Sequence, residues 1–456
     1  QFFCNMKLFA FLISTPFVVV AFHQIPLIRS ASRRDEDIFR ILKRRDHDDS
    51  FEARNHRNPS DEGVVSQKIV SYEDLVYAAN ITIGTPPQEF SVALALSAPT
   101  LWVPHPHCNG RHCDKRRKFM FNESSSFERL PSDTTYDLDS TAGSAKVILG
   151  RDIITLGGFN DEHLVIRNLT FGLATDLQPF FSQEPFDGVL GLGFAELLAD
   201  VNPPIMEAFD QGVIEKPFFA LWVAPHEVNG SKVGGAITYG GMDTVNCGPI
   251  IGYAAVNESI TYGFKVESVS MEKFVRDETH PAFSEMVPWI EGPEYVVEIL
   301  AKLAGAKYND DEEKYEIPCD AKPPAIRFMI GDNEYPVNYT NYIIQIEEGK
   351  CVFALKPTFE RHWTMGLPFI RQYCHAYDID GERIGFATPL TNSPDHSSTS
   401  AIATTRSPRT LSTTPEYVPV TSATHSSEGS TTTAQNSSVI QFAMWISLFA
   451  CVILLL

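Results

Sequence analysis

Three histidines and two cysteines lie close together near residue 110, and side chains of these types are the usual ligands of zinc. His105, His107 and His112 flank Cys108 and Cys113 in the segment HPHCNGRHC. Two cysteines this close can instead close a small disulfide loop, which leaves the histidines as solvated side chains of that loop. We favour the disulfide, and we expect neither a metal nor a cofactor.

Other patterns that could support chemistry are weaker. The spacing of the residues supports no Ser–His–acid arrangement, and the chain has no Gly-rich phosphate loop. Glu291, Glu294 and the acidic run at 309–313 fit a solvated surface. The formal net charge is −20, and no stripe of Lys and Arg is present. This charge excludes nucleic acid as a partner.

The two ends of the chain differ from its body. Residues 6–21 contain Lys7 and then a short apolar run, a pattern that predicts a secretory signal peptide. Residues 391–438 are rich in Ser, Thr and Pro, which predicts an extended, O-glycosylated stalk. The uncharged tail at 439–456 indicates a GPI-anchor signal, with a single transmembrane helix as the alternative. We therefore expect a protein attached to the membrane on the extracellular face of the cell surface.

The cysteines and the glycosylation sequons agree with the secretory pathway. Six cysteines lie in the body of the chain, an even number that is typical of an oxidising compartment. Spacing alone leaves their pairing open beyond the close pair described above. Glycans are predicted at seven Asn-X-Ser/Thr sites: Asn80, Asn122, Asn168, Asn229, Asn257, Asn338 and Asn436.

Short alternating segments separated by Gly, Pro and Asn dominate the body, residues 71–390. They predict strands at 77–84, 88–96, 145–150 and 342–348. Helices are predicted only at 205–211 and 295–303. So many short strands over this length indicate an all-β protein that divides into two β lobes.

Several phrases in this body carry a family resemblance. They are NITIGTPPQEFSV at 80–92, LWVP at 101–104, FDGVLGLG at 186–193, AITYGGMD at 236–243, PFIRQYCHAYD at 368–378 and RIGFATP at 383–389. With these phrases in this order, the chain resembles a pepsin-like aspartic peptidase of the A1 type.

The resemblance implies a bilobal acid protease fold with a peptide cleft between two β lobes, at 71–243 and 244–390. It implies a prosegment at 22–70, for which a charged linker is the alternative. It also implies the disulfides Cys108–Cys113 and Cys319–Cys351, which leaves Cys247 to pair with Cys374.

The resemblance further implies where catalysis should occur. Each lobe of such a peptidase supplies an Asp, and the two carboxylates share one proton, as in pepsin, the standard example of this pair. The first Asp position is Ala95, followed by Leu96 and Ser97 in place of Thr and Gly. Residues 90–113 contain no Asp or Glu, so no local shift restores the acid.

The second Asp position and the flap also depart from the pattern. Alignment without a gap places Ser284 at the second Asp position, whereas a one-residue deletion would place Glu285 there. The Tyr of the flap that covers the cleft is replaced by Ser140.

The sequence thus predicts a monomeric peptidase homologue that does not cleave peptide bonds and binds a polypeptide or glycan in its cleft. One alternative is an active aspartic-type endopeptidase whose motif register differs from this alignment. Another is a structural or antigenic coat glycoprotein without a specific ligand.

Overall fold

The computed structural model describes residues 63–390, apart from 73–74, 132–133, 141–142, 159–162, 183, 194–200, 226–232 and 257–261. The predicted signal peptide, the stalk and the apolar tail lie outside this part, as does most of the prosegment-like region. Among the described residues, no helix combines the length and the hydropathy needed to span a bilayer.

Twelve of the described strands lie between Val65 and Ala255. They are β1 (Val65–Tyr72), β2 (Val76–Ile83), β3 (Gln88–Ala95), β4 (Trp102–Pro104), β5 (Glu128–Arg129), β6 (Tyr136–Ser140), β7 (Gly143–Leu156), β8 (Leu164–Leu177), β9 (Gly188–Gly191), β10 (Phe218–Val223), β11 (Val233–Tyr239) and β12 (Cys247–Ala255).

The second half continues with β13 (Gly263–Met271), β14 (Phe274–Ser284), β15 (Ile290–Pro293), β16 (Lys307–Asn309), β17 (Lys314–Ile317), β18 (Ile326–Ile330), β19 (Asn333–Val337), β20 (Ile343–Glu347), β21 (Lys350–Phe353), β22 (Leu355–Thr358), β23 (Trp363–Met365), β24 (Cys374–Asp378) and β25 (Arg383–Pro389). The described helices are α1 (Pro204–Asp210), α2 (Glu294–Ala304), α3 (Tyr339–Tyr342) and α4 (Leu367–Gln372), with 3-10 turns at Phe121–Glu123 and Pro179–Ser182.

These strands form three sheets in the described part of the chain. The largest has 14 strands in the order β12-β25-β24-β10-β11-β1-β2-β3-β9-β4-β8-β7-β5, with β6 paired to β7. A seven-stranded sheet has the order β19-β18-β13-β14-β23-β15-β22, and a four-stranded sheet the order β16-β17-β21-β20. The all-β, two-lobed architecture predicted from the sequence is therefore confirmed.

The two halves of the chain meet in the largest sheet. The last strands, β24 and β25, return to it, and β24 pairs antiparallel with β10. Across this junction the rings of Phe219 and Tyr377 stack with centroids 4.4 Å apart, and Tyr262 lies 4.6 Å from Tyr377. Residues from both halves thus share one core, which holds the lobes together by apolar burial.

The predicted elements appear close to their expected places. The strands expected at 77–84, 88–96, 145–150 and 342–348 correspond to β2, β3, part of β7 and β20. The two expected helices correspond to α1, which has Pro204 in its first turn, and α2, which ends at Gly305 with φ 80°. The buried face of α2 is apolar and packs against β22 and β15.

The described part of the chain contains three disulfides, and strand β1 runs across the predicted start of the first lobe. Cys108 pairs with Cys113, Cys247 with Cys374, and Cys319 with Cys351. The sequence places the start of the first lobe at residue 71, but this point falls inside β1. Because β1 pairs with β11 on one side and β2 on the other, the folded body already includes Val65.

Candidate functional site

The first loop of the site lies between β3 and β4 and is framed by β9. Strand β3 runs parallel to β9 with Ala95 opposite Gly191, and β4 pairs antiparallel with β9 through Trp102. A Cβ atom on Gly191 would lie 2.3 Å from the backbone nitrogen of Thr100. Glycine is therefore required there for the loop to pack against β9.

The second loop has the same construction in the other lobe. Strand β14 runs parallel to β23 with Ser284 opposite Met365, and Glu291 of β15 pairs antiparallel with Thr364. Gly366 corresponds to Gly191, since a Cβ atom there would lie 1.9 Å from the carbonyl oxygen of Trp289. Each lobe thus holds one loop against one glycine.

Comparison of the strand registers of the two loops favours one of the two candidates for the second Asp position. Ala95 pairs with Gly191, whereas Ser284 pairs with Met365, the residue before Gly366. Glu285 is therefore the residue level with Gly366, and the second loop is one residue shorter than the first. The gapless alignment that put Ser284 at this position is not supported by the strand register, which favours the one-residue deletion and Glu285.

The directions of the side chains agree with this correspondence. Ala95 is 0% exposed and packs in an apolar cluster with Ala98 and Trp102. The preceding Leu94 points into the main core, as expected for the next residue of a strand. Ser284 contacts Tyr377, whose ring belongs to the same main core as Leu94, so Ser284 corresponds better to Leu94 than to Ala95.

Glu285 forms the most direct polar contact between the two loops. Its side chain is 3% exposed, and its Oε1 atom accepts hydrogen bonds from the backbone nitrogen of Leu96 at 3.1 Å and from that of Met286 at 2.9 Å. The Leu96 nitrogen is bonded to the carbonyl carbon of Ala95, so this carboxylate lies beside position 95. Residue 95 itself carries a methyl group in place of an acid.

Behind Glu285, Ser284 belongs to a buried hydroxyl–imidazole network. Its Oγ lies 3.0 Å from Nδ1 of His375 and 2.9 Å from the hydroxyl of Tyr377, and these two atoms are 3.1 Å apart. Burial lowers the pKa of His375 to about 3 and raises the pKa of Tyr377 well above its usual value. The network is neutral at ordinary pH. Since Ser284 is only 4% exposed, the network supports the loop rather than acting as a nucleophilic site.

The flap is a β6–β7 hairpin. Ser140 lies opposite Gly143, and its hydroxyl donates to the Gly143 carbonyl at 2.9 Å. Inward-facing residues of the hairpin, including Leu138 and Val147, pack in the same cluster as Ala95 and Trp102. The Ser140 side chain is therefore bonded within the hairpin itself and is 9% exposed.

The histidines near the first disulfide serve local structure. Nδ1 of His105 accepts a hydrogen bond from the backbone nitrogen of His107 at 3.1 Å. Burial, with smaller contributions from His107 and Arg129, lowers the pKa of His105. Within the described residues, no group of three or more His, Cys, Asp or Glu side chains is arranged to hold a metal ion.

The predicted glycosylation sites differ in exposure. Asn122, Asn168 and Asn338 are exposed, whereas Asn80 is half-buried in β2. Asn229, Asn257 and Asn436 lie outside the described residues.

Two features of this site could not be located by sequence motifs. The His375–Tyr377 pair lies in the phrase PFIRQYCHAYD, where alternation on a strand puts both side chains on one face. Nothing in the sequence connects that pair to Ser284, or Glu285 to Leu96, because these residues are far apart along the chain.

Two β lobes, each presenting one loop held by a glycine, define a protein of the aspartic peptidase class. The family model described as eukaryotic aspartyl protease matches residues 76–389, and the chain belongs to this family. Aspartic protease 6 of Caenorhabditis elegans is 36% identical over 330 residues, which cover 71% of this chain and 84% of that protein.

Two further relatives cover similar shares. Aspartic protease 1 of Caenorhabditis elegans is 30% identical over 342 residues, covering 71% of this chain and 85% of that protein. Pregnancy-associated glycoprotein 4 of Ovis aries is 30% identical over 327 residues, covering 70% of this chain and 82% of that protein.

Proposed function

We propose that this protein is a non-proteolytic member of the aspartyl protease family that binds an extended polypeptide between its lobes. The observation that carries this proposal is the alanine at position 95, next to the Leu96 nitrogen that the Glu285 carboxylate accepts from. Aspartic peptidase chemistry needs one carboxylate as general base toward water and a second acid that protonates the carbonyl oxygen of the substrate. At the first of these two positions, as the resemblance aligns them, this chain has Ala95.

The remaining acid is also in a poor position to act alone. Oε1 of Glu285 already accepts two backbone hydrogen bonds, which hold the side chain in place. General acid–base catalysis contributes about 10²–10⁴-fold to a rate for each group. The absence of an acid at position 95 should therefore lower the catalytic rate by at least this factor.

Several retained features support a binding role. Both glycine-framed loops, the flap hairpin and Trp102 have kept their packing. The groups around position 95 are largely apolar, which favours a polypeptide with apolar side chains over a glycan, whose hydroxyls need hydrogen-bonding partners. We therefore prefer a polypeptide ligand to the glycan that the sequence left open.

We also propose that the protein is a glycoprotein of the extracellular surface, attached through its apolar tail. The three disulfides are typical of the secretory pathway. The exposed sequons at Asn122, Asn168 and Asn338 support glycosylation, and one relative carries the word glycoprotein in its name.

Proteolysis is tested with the secreted chain at acid pH and denatured globin as substrate. We expect no cleavage that pepstatin inhibits. Glu285→Gln is the matched variant, since it removes the remaining acid and keeps the size of the side chain. Pepstatin-sensitive cleavage that Glu285→Gln abolishes would show that Glu285 is catalytic, and would establish the alternative of an active endopeptidase.

Binding is tested by the retention of the chain on immobilised unfolded globin. The variant Ser97→Tyr adds a ring to the first loop and should weaken retention at least severalfold. Val245→Tyr is the control, because Val245 is 71% exposed and belongs to neither loop. Equal retention of both variants, or no retention of the wild-type chain, would instead favour a coat glycoprotein without a specific ligand.

A further inference from the structure

We propose that Asn109 is a site of spontaneous deamidation, which converts the Asn109–Gly110 linkage into isoaspartate or aspartate. The dipeptide lies in the small loop closed by the disulfide between Cys108 and Cys113. This modification does not rest on the proposed binding function, because its chemistry uses only Asn109, Gly110 and water.

The two reacting groups are accessible and unoccupied. Asn109 and Gly110 are both exposed, and a Cβ atom on Gly110 would meet nothing within 4 Å. In the described part of the chain, neither the Asn109 side-chain amide nor the Gly110 N–H group makes a hydrogen bond. No contact therefore has to break before the Gly110 nitrogen approaches the Asn109 side chain.

Hydrogen bonds hold the rest of the loop in place around Asn109 and Gly110. The carbonyl oxygen of Gly110 accepts from the backbone nitrogens of Cys113 at 2.9 Å and Asp114 at 3.1 Å. Nζ of Lys118 donates to the carbonyl oxygen of Cys108 at 2.6 Å. The disulfide and these bonds present the dipeptide to solvent at the end of a fixed loop.

The reaction needs only water. The Gly110 nitrogen loses its proton and attacks Cγ of Asn109, so that an N–Cγ bond forms, the Cγ–Nδ2 bond breaks and ammonia leaves. Water then opens the resulting succinimide. Attack at the main-chain carbonyl gives an isoaspartyl linkage, and attack at Cγ gives aspartate. Glycine in the second position favours the step because no side chain obstructs the approach of its nitrogen.

The chain contains an internal comparison in the Asp380–Gly381 linkage. There the backbone nitrogen of Gly381 already donates to Oδ1 of Asp378 at 3.0 Å. A nitrogen held in this way is not available to attack the preceding side chain. We therefore expect succinimide formation at Asn109 and not at Asp380.

The product changes the charge of the loop. Arg111 and Lys115 are exposed beside Asn109, in a protein whose formal net charge is −20. Deamidation places a carboxylate next to these cations, and the isoaspartyl form also adds a methylene group to the backbone of the disulfide loop. The net charge of this segment thereby falls by one.

The test incubates the full secreted chain at neutral and at mildly acidic pH and then maps its peptides by mass spectrometry. Protein isoaspartyl methyltransferase labels the isoaspartate. We expect the peptide with Asn109 to show the mass shift of amide-to-acid exchange, faster at neutral pH, with methyl labelling. Asn109→Gln should lose both signals, because its longer side chain closes the ring far less readily.

Two results would overturn the proposal. One is an unmodified Asn109 peptide from the native chain under conditions in which the reduced, denatured chain converts. The other is equal labelling of the wild-type chain and Asn109→Gln, which would place the reaction elsewhere, such as at Asn229–Gly230. Peptide masses separate these two dipeptides.

Discussion

Replacement of Glu285 tests whether its carboxylate ties the two lobes together. Glu285→Ala leaves the backbone nitrogens of Leu96 and Met286 without their acceptor. Leu96 is 1% exposed, so its orphaned donor should cost about 1–3 kcal/mol. Met286 is half-buried and can turn to water at a smaller cost. We therefore expect Glu285→Ala to lower the free energy of unfolding by about 2–4 kcal/mol.

Glu285→Gln is the matched control, because its amide oxygen can accept the same two hydrogen bonds. Only the charge assistance is lost, so the expected change stays below about 1.5 kcal/mol. Denaturant unfolding followed by tryptophan fluorescence and circular dichroism measures both variants and also shows whether the lobes begin to unfold separately. If Glu285→Ala lies within about 0.5 kcal/mol of the wild-type chain, the carboxylate does not act as a tie between the loops.

Three further predictions concern other parts of the fold. Burial lowers the pKa of His375 in the folded protein to about 3, whereas the ordinary pKa of a histidine is 6.5. Between these two pH values, the unfolded state therefore binds more protons at His375 than the folded state does. Stability should therefore fall as pH drops through this range, by up to about 1.4 kcal/mol per pH unit, and urea unfolding of His375→Phe should show a flatter pH profile. Gly191→Ala should destabilise the first lobe by about 3 kcal/mol or more, since its Cβ would lie 2.3 Å from a backbone nitrogen; a normal thermal midpoint would contradict this. Glycopeptide mapping should find high occupancy at the exposed Asn122, Asn168 and Asn338 and lower occupancy at half-buried Asn80, and the reverse order would show that exposure does not govern occupancy.

The sequence predicted the frame of the site well because that frame depends on local patterns. Short alternating strands and the LWVP phrase located β3 and β4, and the missing acid at Ala95 follows from a segment without Asp or Glu. The phrases around Gly191 and Gly366 also located the strands that hold each loop. These predictions succeed because each strand depends on residues that are neighbours in the sequence.

The second loop could not be assigned in the same way. Whether Ser284 or Glu285 faces the cleft depends on a one-residue difference in loop length, and a shift of one residue turns a strand side chain to the other face. The pairing of Ser284 with Met365 in the structure favours Glu285. The contact from Glu285 to Leu96 likewise joins residues 189 positions apart, which no local pattern reveals.

The position of β1 limits how far the amino-terminal region can be removed. Residues from Val65 onward pair with Tyr239 and its neighbours on β11, and residues from Ile69 onward pair with β2. A cut after residue 70 would detach most of a strand from the middle of the sheet and expose two rows of backbone N–H and C=O groups. A cleavage before Val65, by contrast, would leave both pairings of β1 covalently intact.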